Sequence, residues 1–320
     1  LVKNEGRTHP DSLAYLGSPA AVEAIAQNTY WPKWTAPWWH ILLAHERGDS
    51  PDPVRTSAAR ELLEAMRARY IPAFLPEEFP DLSGTDNSFC FCALGTIWPA
   101  FEEAGIDIEK TLPWVREWVL RYSLPNGGAS CDDRLYRQEN PGSSIVATTA
   151  LLEFFVESRL GPNSPAELKF THGLAKDLID RKLLHSLPGT VNEEELEDEA
   201  DWRLLCFPRF YFYDVLRGLT AVTRYAERTE TVIPYAAISE AVELLEAKAK
   251  RGPLTVERDA ISEVGGYVFK DGKRIREERS SLFPALAENL KIGKVSTALQ
   301  SEWEATRARI AKLRKKGLLT

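Results

Sequence analysis

The chain has 320 residues, 44% hydrophobic and 27% charged, and a net charge of −7. Such a composition supplies a large core, and its acidic balance excludes a general nucleic-acid binder, which needs a basic patch to neutralise phosphates. No apolar run reaches the roughly 18 residues of a bilayer-spanning helix, and the basic stretch RARIAKLRKKG near the C-terminus reads as the solvated end of a helix.

Proline and glycine punctuate a series of apolar periodic runs, which predicts helices throughout. PWWHILLAHERG opens on Pro37 and stops at Gly48. TSAARELLEAMRARYI places Ala59, Leu62, Leu63, Met66 and Tyr70 on one face. SFCFCALGTIWPAFEEAG is almost wholly apolar up to Phe101 and belongs inside, whereas IEKTLPWVREWVLRYSL is amphipathic. SSIVATTALLEFFVES is apolar nearly all round and PAELKFTHGLAKDLIDRKLLHS amphipathic. RFYFYDVLRGLTAVTRYAE is densely apolar again, followed by amphipathic YAAISEAVELLEAKAKRG. SSLFPALAENL and QSEWEATRARIAKLRKKG close the series. GGYVFKDGKRI reads as a short hairpin turning on Asp-Gly.

Apolar helices thus start near residues 37, 88, 143, 208 and 280, and amphipathic ones near 55, 108, 165, 235 and 299. A helix apolar on all sides must be covered on all sides, so the alternation puts one set inside and the other outside. The expected architecture is all-α, a single α/α toroid of about five to six helical hairpins over residues 1–320. An internal similarity supports repetition: NGGASCDDRLYRQENPGSS and VGGYVFKDGKRIREERSS each run from a Gly-Gly turn through a polar loop to paired serines. Ser143 follows Gly128 by 15 positions, and Ser280 follows Gly266 by 14.

On these segments the chain resembles the terpenoid cyclase and protein prenyltransferase superfamily. LPNGGASCDD followed by SSIVATTALLEFF looks like its glycine-rich turn and inner helix. RFYFYDVLRGLTAV and WTAPWWHILLAHERG are similar to inner helices of squalene-cyclase-like bacterial proteins. The resemblance implies the toroid over roughly residues 20–315. The acidic D-x-D-D motif of the cyclases and the Asp-x-Cys zinc segment of the prenyltransferases are both absent, so no named reaction carries over.

In such a ring the loops that lead into inner helices share one end and form the mouth of the cavity. Asp132, Asp133, Arg209, Tyr213 and Asp214 are the candidate catalytic groups there; Tyr211 and Asp214 are read as i and i+3 on one helix face. Trp34, Trp38, Trp202, Tyr211 and Ser143 are the candidate substrate contacts, because aromatic walls suit an apolar chain, a carbocation or a sugar face. Ser143 and Ser144 also read as helix caps. Zinc is a further possibility, with Cys131, Cys206 and His185 as ligands at that mouth. Cys90 and Cys92 form a C-x-C pair, too close for an ordinary disulfide and by itself a weak metal signal. The four cysteines read as reduced thiols of a cytoplasmic protein, and the start of the chain shows no leader pattern. The functional expectation is an enzyme acting on an apolar or isoprenoid-like small molecule in an aromatic-lined cavity. A non-catalytic toroid binding a ligand or partner and a carbohydrate-active α/α barrel are the alternatives, and oligomeric state is left open.

Overall fold

The computed structural model describes residues 8–73, 89–139, 141–187, 199–270 and 273–320. Helices dominate: α1 (Pro10–Leu16), α2 (Pro19–Gln27), α3 (Pro37–Glu46), α4 (Pro53–Arg69), α5 (Phe91–Glu103), α6 (Ile108–Thr111), α7 (Val115–Val119), α8 (Ile145–Glu157), α9 (Pro165–Asp180), α10 (Val215–Thr229), α11 (Ser239–Lys250), α12 (Pro284–Asn289) and α13 (Thr297–Lys315). Strands β1 (Gly266–Lys270) and β2 (Lys273–Glu277) pair antiparallel as the one sheet among the described residues, Gly266 opposite Glu277. The hairpin is therefore as predicted, while its Asp-Gly turn lies outside the described residues. None of the described helices is long and apolar enough to cross a membrane.

Local chemistry sets most boundaries. Asp52, Ser144, Ser164, Asp214 and Ser296 each accept a backbone N–H from the first turn of α4, α8, α9, α10 and α13, satisfying donors that a helix start leaves orphaned. α3 begins with proline at its first position, and the chain leaves it through Gly48 at φ 70°. α1 and α2, absent from the periodic reading, each begin with a proline behind a capping side chain, His9 and Ser18.

Four expectations are corrected. The run 108–124 is broken into α6 and α7, because Pro113 has no N–H to donate and pushes Leu112 out of the helical region (ψ 63°). α9 stops at Asp180, with Lys182 and Leu183 at positive φ, short of the predicted Ser186. Residues 209–214 precede a helix that begins only at Val215: Glu46 accepts the backbone N–H groups of Arg209 and Phe210, and Phe210 sits at φ 51°. Tyr211 and Asp214 therefore share no helix face. The fourth concerns the last pair. α12 is only six residues long, and α13, expected outside, packs on α10 and buries Leu299, Trp303, Thr306, Ile310 and Leu313.

Helices α3, α5, α8, α10 and α13 touch in that succession or share one cavity. α5 and α8 pack most closely of all: a Cβ on Gly95 would lie 2.2 Å from the carbonyl oxygen of Ala150. The internal similarity has a physical counterpart. A Cβ on Gly128 would lie 2.5 Å from the Ser143 Cβ, and one on Gly266 would lie 2.5 Å from the Ser280 Oγ. In both units the glycine lets the loop backbone press on the serine that heads the next helical segment.

Candidate metal centre and adjoining pocket

Three cysteines meet. Cys90 immediately precedes α5, Cys92 lies in its first turn, and Cys131 is carried in by the loop from the Gly127–Gly128 turn toward α8. The tight packing of α5 on α8 brings residues 39 to 41 positions apart together. The Cys90 Sγ is 2.9 Å from that of Cys92 and 3.0 Å from that of Cys131, and all three sulfurs lie within 4.8 Å of one another. All are free thiols, and among the described residues this is the one cluster of three His, Cys, Asp or Glu ligand atoms at such spacing.

The electrostatics suit a thiolate. Its hydrogen-bonding contacts with Cys131, then with Cys92, hold the Cys90 thiol well below its ordinary range. Cys131 is pushed well above it by its contact with Cys90, then with Cys92, then by burial. A thiolate at Cys90 would stand at a helix N-terminus, where the backbone dipole favours negative charge. The Cys92 backbone N–H points at the Cys131 Sγ, 3.4 Å away. A tetrahedral zinc with Zn–S of about 2.3 Å needs sulfurs about 3.8 Å apart, so the trio has only to open by less than about 1 Å to seat one.

A pocket of about 240 Å³ opens beside the trio, with Cys90 in its wall together with Tyr30, Trp31, Trp38, Tyr70 and Phe89. Lys33 and Arg274 bring positive charge to it. The Lys33 Nζ donates to the Tyr211 hydroxyl at 2.8 Å and lies 5.1 to 5.4 Å from the rings of Tyr211, Trp31 and Trp34. Burial lowers the affinity of Lys33 for its proton, an effect opposed by Cys92 and Cys90. Tyr211 is held protonated by burial, then by the neighbouring Cys92, Cys90 and Cys131.

The other predicted site residues are placed as follows. Cys206 belongs to a separate buried group. Its N–H donates to Asp214, Arg258 approaches its sulfur at 3.7 Å, and burial pushes its thiol up to about 12. His185 contacts Glu240 at 2.9 Å and Glu199 at 3.5 Å. Of the predicted zinc set, only Cys131 joins the metal-competent cluster, and its companions are Cys90 and Cys92. Asp214 caps α10 and pairs with Arg209 at 3.1 Å, while Arg209 also bonds Glu302. Tyr213 donates to the Leu183 carbonyl at 2.7 Å. Asp132 is bound by Arg134, whose hydrogen bonds lower its pKa, and Asp133 opens a 3-10 turn. Ser143 is fully buried between Asn126, Asp177 and Arg181. Trp34 and Trp202 are buried, against Phe210 and Tyr213 respectively. Trp38 is in the pocket wall, and Tyr211 holds Lys33 there.

A second cavity, of about 170 Å³, lies between α3, α5, α8, α10 and α13. Three ion pairs, Arg217 with Glu153, Arg224 with Glu157 and Arg209 with Glu302, and a hydrogen-bonding contact of His45 with Glu103 stand in its walls among apolar residues such as Leu42, Pro99 and Ala298. Phe210 is the one Phe, Tyr or Trp among its described lining residues, and of the predicted substrate contacts Trp38 alone lines the pocket at the cysteine trio. No protein-family model, no curated protein and no solved structure matches this chain.

Proposed function

We propose that this chain is a zinc enzyme whose metal is held by Cys90, Cys92 and Cys131, with the fourth position open to the aromatic pocket. The convergence of three sulfurs from two packed segments carries the reading. Thiolates are soft ligands that favour zinc, and the described residues supply three of them, which in a catalytic zinc site leaves the fourth position to water or substrate. Zinc would supply Lewis acidity and lower the pKa of a bound water or substrate group. Lys33 would hold the reacting end of a substrate at the mouth of the pocket, and the rings of Tyr30, Trp31 and Phe89 would cover an apolar body. We read the succession of α3, α5, α8, α10 and α13 as the inner wall of an α/α toroid, in keeping with the superfamily resemblance.

Cobalt substitution tests the metal reading. Protein refilled with Co(II) should develop near-ultraviolet thiolate-to-metal absorption at one equivalent per chain. Cys131→Ala should abolish it and Cys206→Ala should leave it intact. Equal spectra for the two variants would refute the assignment.

A further inference from the structure

We infer that Cys90 and Cys131 form a reversible disulfide when a hydroperoxide reaches them, a modification that takes two of the three sulfurs away from the metal. The cross-link stands on the sulfur geometry alone; its effect on zinc rests on the proposed metal centre. All four cysteines of the chain are among the described residues, as free thiols, so the choice of partners within the chain is complete. The Cys90 Sγ is 3.0 Å from the Cys131 Sγ. A disulfide of about 2.05 Å asks the pair to close by only about 1 Å, a shift that small rotations about both Cα–Cβ bonds supply. The pair thus stands midway between the spacing of a bridge and that of a zinc site.

Position decides which pair closes. Cys90 is the one member of the trio in the pocket wall and meets the oxidant first. Cys92 is as near, at 2.9 Å, but it lies in the first turn of α5, and a Cys90–Cys92 bridge over a single residue would distort that turn. Cys131 comes from a loop whose preceding residues are held in place. The Ala129 N–H donates to the Thr148 Oγ1 on α8 at 3.0 Å, and the Ser130 N–H to the Tyr136 hydroxyl at 2.9 Å. Cys206, fully buried in its separate group with Asp214 and Arg258, is an internal control.

With hydrogen peroxide, the Cys90 sulfur takes one hydroxyl as the O–O bond breaks, giving a sulfenic acid and a first water. The Cys131 sulfur then attacks the Cys90 sulfur, the S–S bond forms, and the hydroxyl leaves as a second water. Two electrons pass from the sulfurs to the peroxide. The two thiols supply the two protons, or solvent does where both sulfurs start as metal-bound thiolates.

Hydrogen peroxide is the probe, added in equimolar amount to zinc-loaded protein and, separately, to metal-free protein. Peptide mapping without reduction should find Cys90 joined to Cys131, with Cys92 and Cys206 still open to alkylation after denaturation. Dithiothreitol should restore all four thiols. A zinc-binding dye should register one ion released for each disulfide formed. Cys92→Ser should keep the link, whereas Cys90→Ser and Cys131→Ser should lose it; in Cys131→Ser the Cys90 sulfur should pass on to the sulfinic acid. A different pair as the main product, or oxidation of the trio to sulfinic acids with no cross-link, would overturn the inference even in protein that holds zinc. Disulfide-bonded protein that keeps its zinc would contradict the release. A Cys90–Cys131 link in protein that takes up no zinc would instead overturn the metal reading alone.

Discussion

His40 couples stability to acid in a way that can be calculated. The imidazole is buried in α3, stacked on Phe283 at a centroid distance of 3.7 Å, with its Nδ1 3.0 Å from the Ser12 Oγ. Burial depresses its pKa from 6.5 to about 3. A depressed pKa means that the unfolded chain binds the proton more readily than the folded one. The contribution of His40 is therefore fully present above pH 6.5 and is lost as pH falls from there toward 3. Linkage gives a loss of about 2 kcal/mol between pH 8 and pH 5 from this residue alone. His40→Gln removes the titration while retaining a polar partner for Ser12. Urea unfolding of both proteins at pH 8 and pH 5 isolates the effect, because every other titrating group cancels in the double difference. The wild type should lose about 2 kcal/mol more than the variant. Parallel losses would show that His40 is solvated or protonated in the fold.

Three further outcomes follow from burial and close packing. Asp49 is buried with its pKa raised to about 6, chiefly by desolvation, so its ionisation opposes folding as pH rises from about 4 to 6. Asp49→Asn should raise stability at pH 7.5 by up to about 3 kcal/mol and leave it unchanged near pH 4, as thermal melts at the two pH values would show. Gly95→Ala forces a methyl against the Ala150 carbonyl and should cost about 1–3 kcal/mol in urea unfolding; a smaller loss would mean that α5 and α8 can separate freely. Gly266→Ala should be relieved by Ser280→Ala, because its added methyl meets the Ser280 Oγ, which has no hydrogen-bond partner. Gly128→Ala should not be relieved by Ser143→Ala, because there the conflict is with the Ser143 Cβ itself; a double-mutant cycle separates the two cases.

What the sequence disclosed and what it hid divide by distance. Helix starts at Pro37, Ser144 and Pro165 were legible because a cap or a proline acts within one turn. The repeat was legible because Gly128 and Ser143, like Gly266 and Ser280, are joined by segments of nearly equal length. The state of residues 209–214 was not, since the carboxylate that takes the Arg209 and Phe210 amides is Glu46, on a different helix. The cysteine trio was hidden for the same reason. Cys90 and Cys92 form only a weak pair until α5 packs on α8 and brings Cys131 to them. The prolonged inner character of α13 was masked by its charged letters, which fall on one side and leave Leu299, Trp303 and Ile310 to the core.

X-ray absorption at the zinc edge, on protein purified without chelator, tests the metal centre most directly. About one zinc per chain with about three sulfurs near 2.3 Å and one lighter ligand is the expected first shell, falling to two sulfurs or to no metal in Cys131→Ala and unchanged in Cys206→Ala. Protein without stoichiometric zinc, or a sulfur shell that Cys131→Ala leaves intact, would contradict it.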